Sequence, residues 1–423
     1  MPLVTAPVVT PPTTEPPPPI ELPEIGYAAV TYIDPAGTRW PMTDITADWY
    51  TLADGVSGLG AAPYVLTSDP RPRGGARLRH VQPQPRTIVW PVLVKGADHE
   101  GFTANWRQLA RAFTRTLRRG PDGTRTAGTL EVARPDGSRR TIAVYYQEGW
   151  DGLGRVATGI TWDSAVLTLW CEDPYWVDAE TVTVHREQGS GLDYLEPFPS
   201  VSSSQVLGAT VVHNPGDVEV WPTWTITGPA SLVTFTRDDT GESFAIDPSQ
   251  VAGSLLATEQ VIVSTDPPRV TKKTAEVQTI DLGAASAGTI TITFDGQTTG
   301  GIAYDAAAAT VRAALEALPN VQVGDIAASG GPLPDTISLS FAGQYLGIDV
   351  PEVTVTPTGL TGGTVTVATT TEGATVNWVG TLNWPAAVLW ALDPSDNPVT
   401  FQLDGAAAGS AVDLSFNPRY ETA

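Results

Sequence analysis

Short apolar runs broken by turn residues constrain the fold of this chain more than any other feature of its sequence. Gly (41 residues) and Pro (37 residues) make up about a fifth of the 423 residues, and they separate stretches in which apolar and polar residues alternate. That fraction lies below the level typical of wholesale disorder, and abundant Thr and Val favour strands. The sequence therefore predicts a mainly β protein of many short strands, with a hydrophobic content of 41% that can form real cores.

The content of cysteine and of long apolar runs excludes several classes of protein. The single cysteine, Cys171, excludes an intramolecular disulfide framework and a thiolate zinc site. No apolar run reaches the roughly 18 residues of a membrane span, and the N-terminus lacks the basic and apolar regions of a signal peptide. We therefore expect a protein without a membrane span that folds in a cytoplasm and leaves the cell by lysis or within a larger particle.

The net charge of −22 is unevenly distributed along the chain. Residues 1–186 hold 18 Lys and Arg against 20 Asp and Glu, whereas residues 187–423 hold 6 against 26. The acidic half repels nucleic acid. The difference indicates that the two halves face different surroundings.

The first 190 residues divide into an arm and a domain. Residues 1–25 are rich in proline and favour extended polyproline II, either as a disordered tail or as an arm along a neighbouring subunit. Residues 26–190 are predicted to form a β domain with one amphipathic helix, at about residues 101–119. The apolar stripe of this helix consists of Phe102, Trp106, Leu109, Phe113 and Leu117. The predicted strands are residues 27–33, 86–94, 130–133, 140–146 and 165–171, and Pro91 argues that the second of them is an edge strand or carries a bulge.

The remainder of the chain is predicted to be one β-sandwich, residues 191–273 and 374–423, interrupted by an α+β insert, residues 274–373. The insert contains no Trp, which returns at Trp378, and it carries a helix at about residues 305–318 with Asp305 as the N-cap. Surface loops accept such insertions at little entropic cost. We therefore expect Thr271 and Thr375 to lie near each other.

The sequence shows none of the residue patterns that enzymes use. The nearest carboxylate pairs, Asp238-Asp239 and Asp393/Asp396, lie in turn-like sequence, where Asp bonds to local backbone. The four histidines are scattered, and neither a nucleophile elbow nor a phosphate-binding loop occurs. We therefore predict a protein that is not an enzyme, with no catalytic, cofactor or metal site.

A basic stretch is the one candidate site. It consists of Arg71, Arg73, Arg77, Arg79 and Arg86, and its glycines and prolines predict a loop. Three interpretations stay open: a solvated loop, a subunit interface in which the arginines meet acidic groups of a neighbour, and direct DNA binding. No aromatic residue lies between Arg71 and Arg86 to stack on bases, which argues against sequence-specific nucleic-acid binding.

Four stretches share their order and spacing with a known family. Residues 86–119 are a strand followed by an amphipathic helix, residues 167–176 are a strand ending in Asp-Pro-aromatic sequence, and residues 213–228 enter the sandwich through Asn-Pro-Gly-Asp. Together with the last strand, residues 412–420, they resemble the siphovirus distal tail protein family over about two thirds of the chain. This resemblance implies a homo-oligomer, a hexameric ring whose N-terminal domains surround a channel and whose galectin-like C-terminal sandwiches point outward, with no catalytic residues.

The same resemblance implies a structural role in the virion. The expected protein is a minor tail protein at the tail tip or baseplate of a bacteriophage, assembled in the host cytoplasm, that joins the tail tube protein to the hub and tip proteins. The insert is similar to an accessory domain of actinobacteriophages, and in larger family members inserts bind host-surface sugars. The alternative is a tail-tip or fibre-base protein that contacts host-surface carbohydrate directly; a sixfold ring would support the first function and a trimer the second.

Overall fold

The computed structural model describes residues 28–188 and 204–423, apart from residues 53, 122, 154–158 and 252. The predicted arm, residues 1–25, lies outside the described residues. Most regular structure is strand, which confirms the mainly β fold class. The buried hydrophobic residues form three clusters, one for each of three successive groups of sheets. The domain boundaries given above remain predictions.

The first cluster lies in the part of the chain that ends at Asp178, together with Ala423. Its strands alternate buried and outward-facing residues, because successive side chains of a strand point to opposite faces. The strands are β1 (Ala29–Ile33), β2 (Arg39–Pro41), β3 (Trp49–Thr51), β4 (Tyr64–Pro70), β5 (Ala76–Pro83), β6 (Arg86–Lys95), β7 (Gly128–Ala133), β8 (Arg139–Glu148), β9 (Trp162–Cys171) and β10 (Trp176–Asp178). The helix α1 spans His99–Thr114.

Seven of these strands form one sheet in the order β2-β1-β7-β8-β9-β6-β3. Strands β1 and β2 form an antiparallel hairpin, and so do β7 and β8. The prediction that Pro91 marks an edge strand or a bulge is wrong, because β6 pairs with β9 along its whole length in a continuous register and with β3 on its other side. Pro91 is tolerated there because the β3 ladder ends at Val92 and only the Pro91 carbonyl is used on that side, where it accepts a hydrogen bond from the Leu52 amide at 3.1 Å.

Helix α1 packs against this sheet and begins two residues earlier than predicted. The Asp98 side chain caps it by accepting a hydrogen bond from the Gly101 amide at 2.7 Å. Leu109 and Phe113 are buried, and the Phe113 ring stacks on that of Tyr32 at 4.2 Å. The other residues of the predicted stripe are less buried: Phe102 and Trp106 are half-buried, and Leu117 is 47% exposed because the α-helix has already given way to a 3-10 turn.

The second cluster forms a β-sandwich from two parts of the chain that are far apart in sequence. Its first part contains β11 (Val182–Glu187), β12 (Ser204–Asn214), β13 (Thr223–Thr227), β14 (Leu232–Arg237), β15 (Ser243–Ile246), β16 (Glu259–Thr265) and β17 (Pro268–Thr274). The predicted turn at residues 214–217 connects strands that lie in different sheets, β12 and β13.

Between the two parts lies the third cluster, an α+β unit of two small sheets and one helix. Its strands are β18 (Val277–Asp281), β19 (Ala287–Phe294), β20 (Gln297–Thr298), β21 (Ile302–Ala303), β22 (Ile326–Gly330), β23 (Ile337–Phe341), β24 (Thr354–Thr361) and β25 (Thr366–Thr371). The helix α2 spans Ala308–Glu316, and its N-cap is Ala307, without a side-chain bond. The prediction of Asp305 as the N-cap is therefore wrong, because the helix starts two residues later.

The second part of the sandwich completes both of its sheets. It contains β26 (Ala374–Asn377), β27 (Ser395–Asp404) and β28 (Ala411–Phe416), and it is followed by β29 (Arg419–Tyr420). The two sheets run β11-β28-β13-β16-β17-β26 and β12-β27-β14-β15. Trp224 lies at the centre of the core between them, with its ring 4.3 Å from Phe235, 5.2 Å from Trp390 and 5.6 Å from Phe401.

The two ends of the insert are neighbours, as predicted. Strands β17 and β26 pair antiparallel, with Lys273 opposite Thr375 and Thr274 opposite Ala374. The Thr375 hydroxyl also donates a hydrogen bond to the Gly347 carbonyl at 2.8 Å, so the insert contacts the sandwich beside its own root.

The chain finally returns from the sandwich to the first sheet. Strand β29 pairs with β10, which also pairs with β8. Ala423 is buried, and its amide donates to the Leu59 carbonyl at 3.0 Å. Residues 419–423 therefore pack against the first sheet, although they follow the sandwich in the sequence.

Candidate assembly interface

Strands β4 and β5 form a hairpin that pairs with no further strand in the described part of the chain. All but one of its strand residues are exposed, on both faces of the ribbon. A two-stranded hairpin on its own is only marginally stable in water. This hairpin was not predicted: residues 71–86 were expected to form a loop, and the glycines responsible, Gly74 and Gly75, instead form its tight turn with φ of 90° and 78°.

The strand register gives the hairpin one apolar and one polar face. Leu66 lies opposite Val81, and Tyr64 lies opposite Pro83 on the same side. A bulge at Arg79 keeps Leu78 on this side as well, opposite Ser68. We call Tyr64, Leu66, Leu78 and Val81 the apolar hairpin face. Their exposed fractions are 40%, 63%, 55% and 43%, so the described residues do not cover them.

Four of the five predicted arginines lie on the hairpin. Arg71 and Arg73 lie at its turn, which is closed by the hydrogen bond from the Arg71 amide to the Gly75 carbonyl at 2.9 Å. Arg79 forms an ion pair with Asp69 across the two strands. Arg71, Arg73 and Arg77 have no carboxylate partner among the described residues. The hairpin therefore presents unpaired positive charge at its tip.

Arg86 is separate from these four and lies inside the molecule. It is 2% exposed, and its guanidinium donates to the carbonyls of Gly58 (3.0 Å), Gly60 (2.6 Å) and Glu421 (2.8 Å). Burial lowers the pKa of this guanidinium from its ordinary value, although an arginine remains charged. In the described structure Arg86 therefore holds two loops of its own chain together and is not on the surface.

The base of the hairpin is tied to the end of the chain through Glu421. Its carboxylate accepts hydrogen bonds from the Tyr64 hydroxyl and from the Ala62 amide, the latter at 2.9 Å. Burial, and next the hydrogen bond to Glu421, raise the pKa of the Tyr64 phenol above its usual range. The Tyr64 hydroxyl is also 3.2 Å from that of Tyr175. The root of the hairpin is thus fixed, although the ribbon itself projects.

The four stretches that resemble the distal tail family meet at the same junction. Arg419 pairs with Asp173 at 2.6 Å, and its carbonyl accepts a hydrogen bond from the Asp217 amide at 2.8 Å. Arg86, at the start of the strand-and-helix stretch, reaches the Glu421 carbonyl. Residues separated by up to 335 positions in sequence therefore form one contact between the first sheet and the sandwich.

Of the carboxylates singled out in the sequence, Asp239 and Asp393 lie in ion pairs, whereas Asp238 accepts a hydrogen bond from the Thr400 hydroxyl at 3.0 Å. Arg237 is nearly buried and binds both Asp239 (2.9 Å) and Asp393 (2.6 Å). These contacts raise the pKa of Arg237, and its guanidinium lowers the pKa of Asp239. Asp396 contacts the His213 ring at 2.7 Å. Across the described residues no group of three or more His, Cys, Asp or Glu side chains could hold a metal ion.

The aromatic residues of the insert lie in and against its own core. Phe294 and Phe341 are buried, with ring centroids 5.1 Å apart, and Tyr345 packs on both of them. Tyr304 is half-buried against the same cluster. None of these rings forms an open platform of the kind that stacks on sugars. In the described segments, no helix combines the length and the hydropathy needed to cross a membrane.

Comparison with known proteins gives weak structural likenesses. No family model and no curated protein matches the sequence. Among solved structures, the chain is similar to the Dit protein of phage SPP1, described as a paradigm of the hub adsorption apparatus in phages that infect Gram-positive bacteria. The TM-score is 0.46 at 11% identity, over 93% of this chain and 99% of that one. The chain is also similar to the phage P2 baseplate in its activated conformation with calcium, with a TM-score of 0.36 at 10% identity, over 59% of this chain and 84% of that one. Because both TM-scores lie below 0.5, the function of this chain has to be argued from its own residues.

Proposed function

We propose that this chain is a structural protein of a bacteriophage tail, a distal tail subunit that forms a hexameric ring and joins the tail tube to the hub and tip proteins. In this proposal the residues up to Asp178 build the ring, and the sandwich and its insert lie outside it. The protein acts by assembly and does not catalyse a reaction.

The observation that carries this proposal is the apolar hairpin face. Alternation of apolar and polar residues is typical of a sheet with one buried face, yet this ribbon has no layer over its apolar side in the described chain. Exposed apolar patches of this kind mark protein–protein contacts. The unpaired arginines at the tip favour a neighbour with acidic groups, and the acidic net charge of the chain makes a second copy a suitable neighbour.

The junction formed by Asp173, Asp217 and Arg419 supports the choice of family. The four stretches that carry the resemblance are far apart in sequence, and nothing in their spacing alone requires them to meet. Their convergence is what a shared interdomain joint would produce.

The test is the oligomeric state of the full-length protein. Electron microscopy and mass measurement should show a sixfold ring with a central channel. Leu66→Asp should convert the ring to monomers. The circular dichroism spectrum should stay unchanged, because the Leu66 side chain is 63% exposed and is not packed in the hydrophobic core. A wild-type protein that stays monomeric at high concentration would contradict the proposal, and a trimer would favour the fibre-base alternative.

A further inference from the structure

A groove opens on the outer face of the first sheet, near the base of the hairpin. Its volume is about 910 Å³, and its lining includes Leu117, Tyr145, Trp170, Arg125 and Glu172. Leu117 and Trp170 are 47% and 36% exposed, and the Tyr145 and Trp170 rings lie 6.0 Å apart. We call this the Trp170 groove.

The strand pattern explains why large apolar side chains line an open groove. In β9, Leu169 and Cys171 point into the core and are buried, so Trp170 between them points outward. Tyr145 pairs with Trp170 across the ladder and lies on the same face. Helix α1 covers the inner face of this sheet, but nothing in the described chain covers these outward rings.

The rim of the groove carries carboxylates, whereas the tip of the hairpin carries unpaired arginines. Glu172 lies in the lining and Glu148 lies at the nearby end of β8; both are exposed. Neither forms an ion pair among the described residues, whereas the guanidinium of Arg125 is turned to the Leu117 carbonyl at 3.2 Å. Unpaired carboxylates beside exposed rings complement unpaired arginines beside exposed aliphatic side chains.

We propose that the apolar hairpin face of one subunit packs into the Trp170 groove of a second copy of this chain, with Arg71, Arg73 or Arg77 reaching Glu172 and Glu148. The proposal rests on the ring function proposed above and names the contact that builds the ring. Hairpin and groove are different surfaces, so the contact is heterologous. Repeated around an axis, a heterologous contact closes into a ring, whereas a contact between like surfaces gives a dimer.

Disulfide trapping tests this contact in the full-length protein. Leu66→Cys and Leu117→Cys are made in separate chains that carry tags of different mass, then mixed and oxidised. We expect a covalent dimer containing one chain of each kind. The native Cys171 does not compete, because it is fully buried and burial raises the pKa of its thiol to about 12.

Thr67→Cys provides the matched control, since Thr67 is adjacent to Leu66 but belongs to the polar face. Mixed with Leu117→Cys, it should give at least fivefold less covalent dimer, because disulfides form only between close and suitably directed Cβ atoms. Equal yields from the two pairs would overturn the proposed docking. So would a Leu66→Cys/Leu117→Cys double variant that forms its disulfide within one chain, because the hairpin would then fold onto its own groove.

A charge exchange gives an independent measurement. Glu172→Arg should raise the concentration needed for half-assembly about tenfold, and Arg77→Glu in the same chain should restore most of the loss. Two results together would show that the groove is not the docking site: Glu172→Arg has no effect on assembly, and no trapped dimer forms. The ring function would still stand in that case, provided that the wild type forms rings and Leu66→Asp abolishes them. If the wild type forms no ring, the proposed function itself fails.

Discussion

The guanidinium of Arg86 is buried and donates its hydrogen bonds to backbone carbonyls rather than to carboxylates. Its three carbonyl acceptors, on Gly58, Gly60 and Glu421, lie 2.6–3.0 Å away, and Gly58 and Gly60 belong to the chain segment between β3 and β4. Arginine suits this position because its guanidinium is a rigid fork of donors that stays charged when buried. One side chain thus connects the start of β6 with the end of the chain.

Replacing Arg86 should therefore be costly. Arg86→Ala removes a buried side chain together with its hydrogen bonds to three partly buried carbonyls, and we expect the free energy of unfolding to fall by about 3 kcal/mol. Arg86→Lys should cost about 1–2 kcal/mol, since an ammonium cannot match the fork. Chemical denaturation measures both. Arg73→Ala, on the exposed hairpin turn, is the control, with a change within about 0.5 kcal/mol; equal losses at Arg86 and Arg73 would contradict the burial.

At the scale of elements, α1 and the hairpin show what the sequence could and could not predict. The helix stripe was visible because apolar residues recur every three or four positions, and Leu109 and Phe113 are buried as expected. Leu117 was misassigned, since the periodicity continues past the point where the helix tightens. The hairpin could not be predicted, because Gly74-Gly75 and the flanking prolines indicate a loop, and the bulge at Arg79 breaks the two-residue spacing between Leu78 and Val81.

The middle and the C-terminal end of the helix stripe should respond differently to truncation. Leu109→Ala should lower the free energy of unfolding by about 2–5 kcal/mol, because it leaves a cavity in the core. Leu117→Ala should change it by less than about 0.5 kcal/mol, because this side chain is 47% exposed. Thermal and denaturant unfolding of the two variants measure the difference. Similar losses for both would show that Leu117 belongs to the core after all.

For the whole molecule, the pairing of β17 with β26 predicts that the insert can be removed. Thr274 and Ala374 are opposite each other in the ladder, so residues 275–373 can be replaced by Asn-Gly, a two-residue turn that suits a hairpin. We expect a soluble protein that keeps the sandwich core around Trp224 and still assembles. Its oligomeric mass and its Trp fluorescence should match those of the full chain. Aggregation would show that the sandwich needs the insert.

The insert could be predicted from composition, because its lack of Trp contrasts with the Trp-rich sequence of the sandwich on either side. The junction around Arg86 and Glu421 could not be predicted in this way. Its contacts join residues up to 335 positions apart, and they depend on carbonyl groups that every residue carries. Only the three-dimensional path of the chain brings those carbonyls to one guanidinium.

The return of residues 419–423 to the first sheet has a consequence for the order of events during synthesis. A ribosome that has made residues 28–188 has not yet made β29, nor Glu421, which holds Tyr64 at the base of the hairpin. At the usual elongation rates of about 5–20 residues per second, that segment follows roughly 10–50 seconds later. During this interval Arg86 lacks one of its three acceptors, and the hairpin lacks its anchor. We therefore expect the hairpin of a nascent chain to reach its anchored form only after the segment that carries Glu421 has been made.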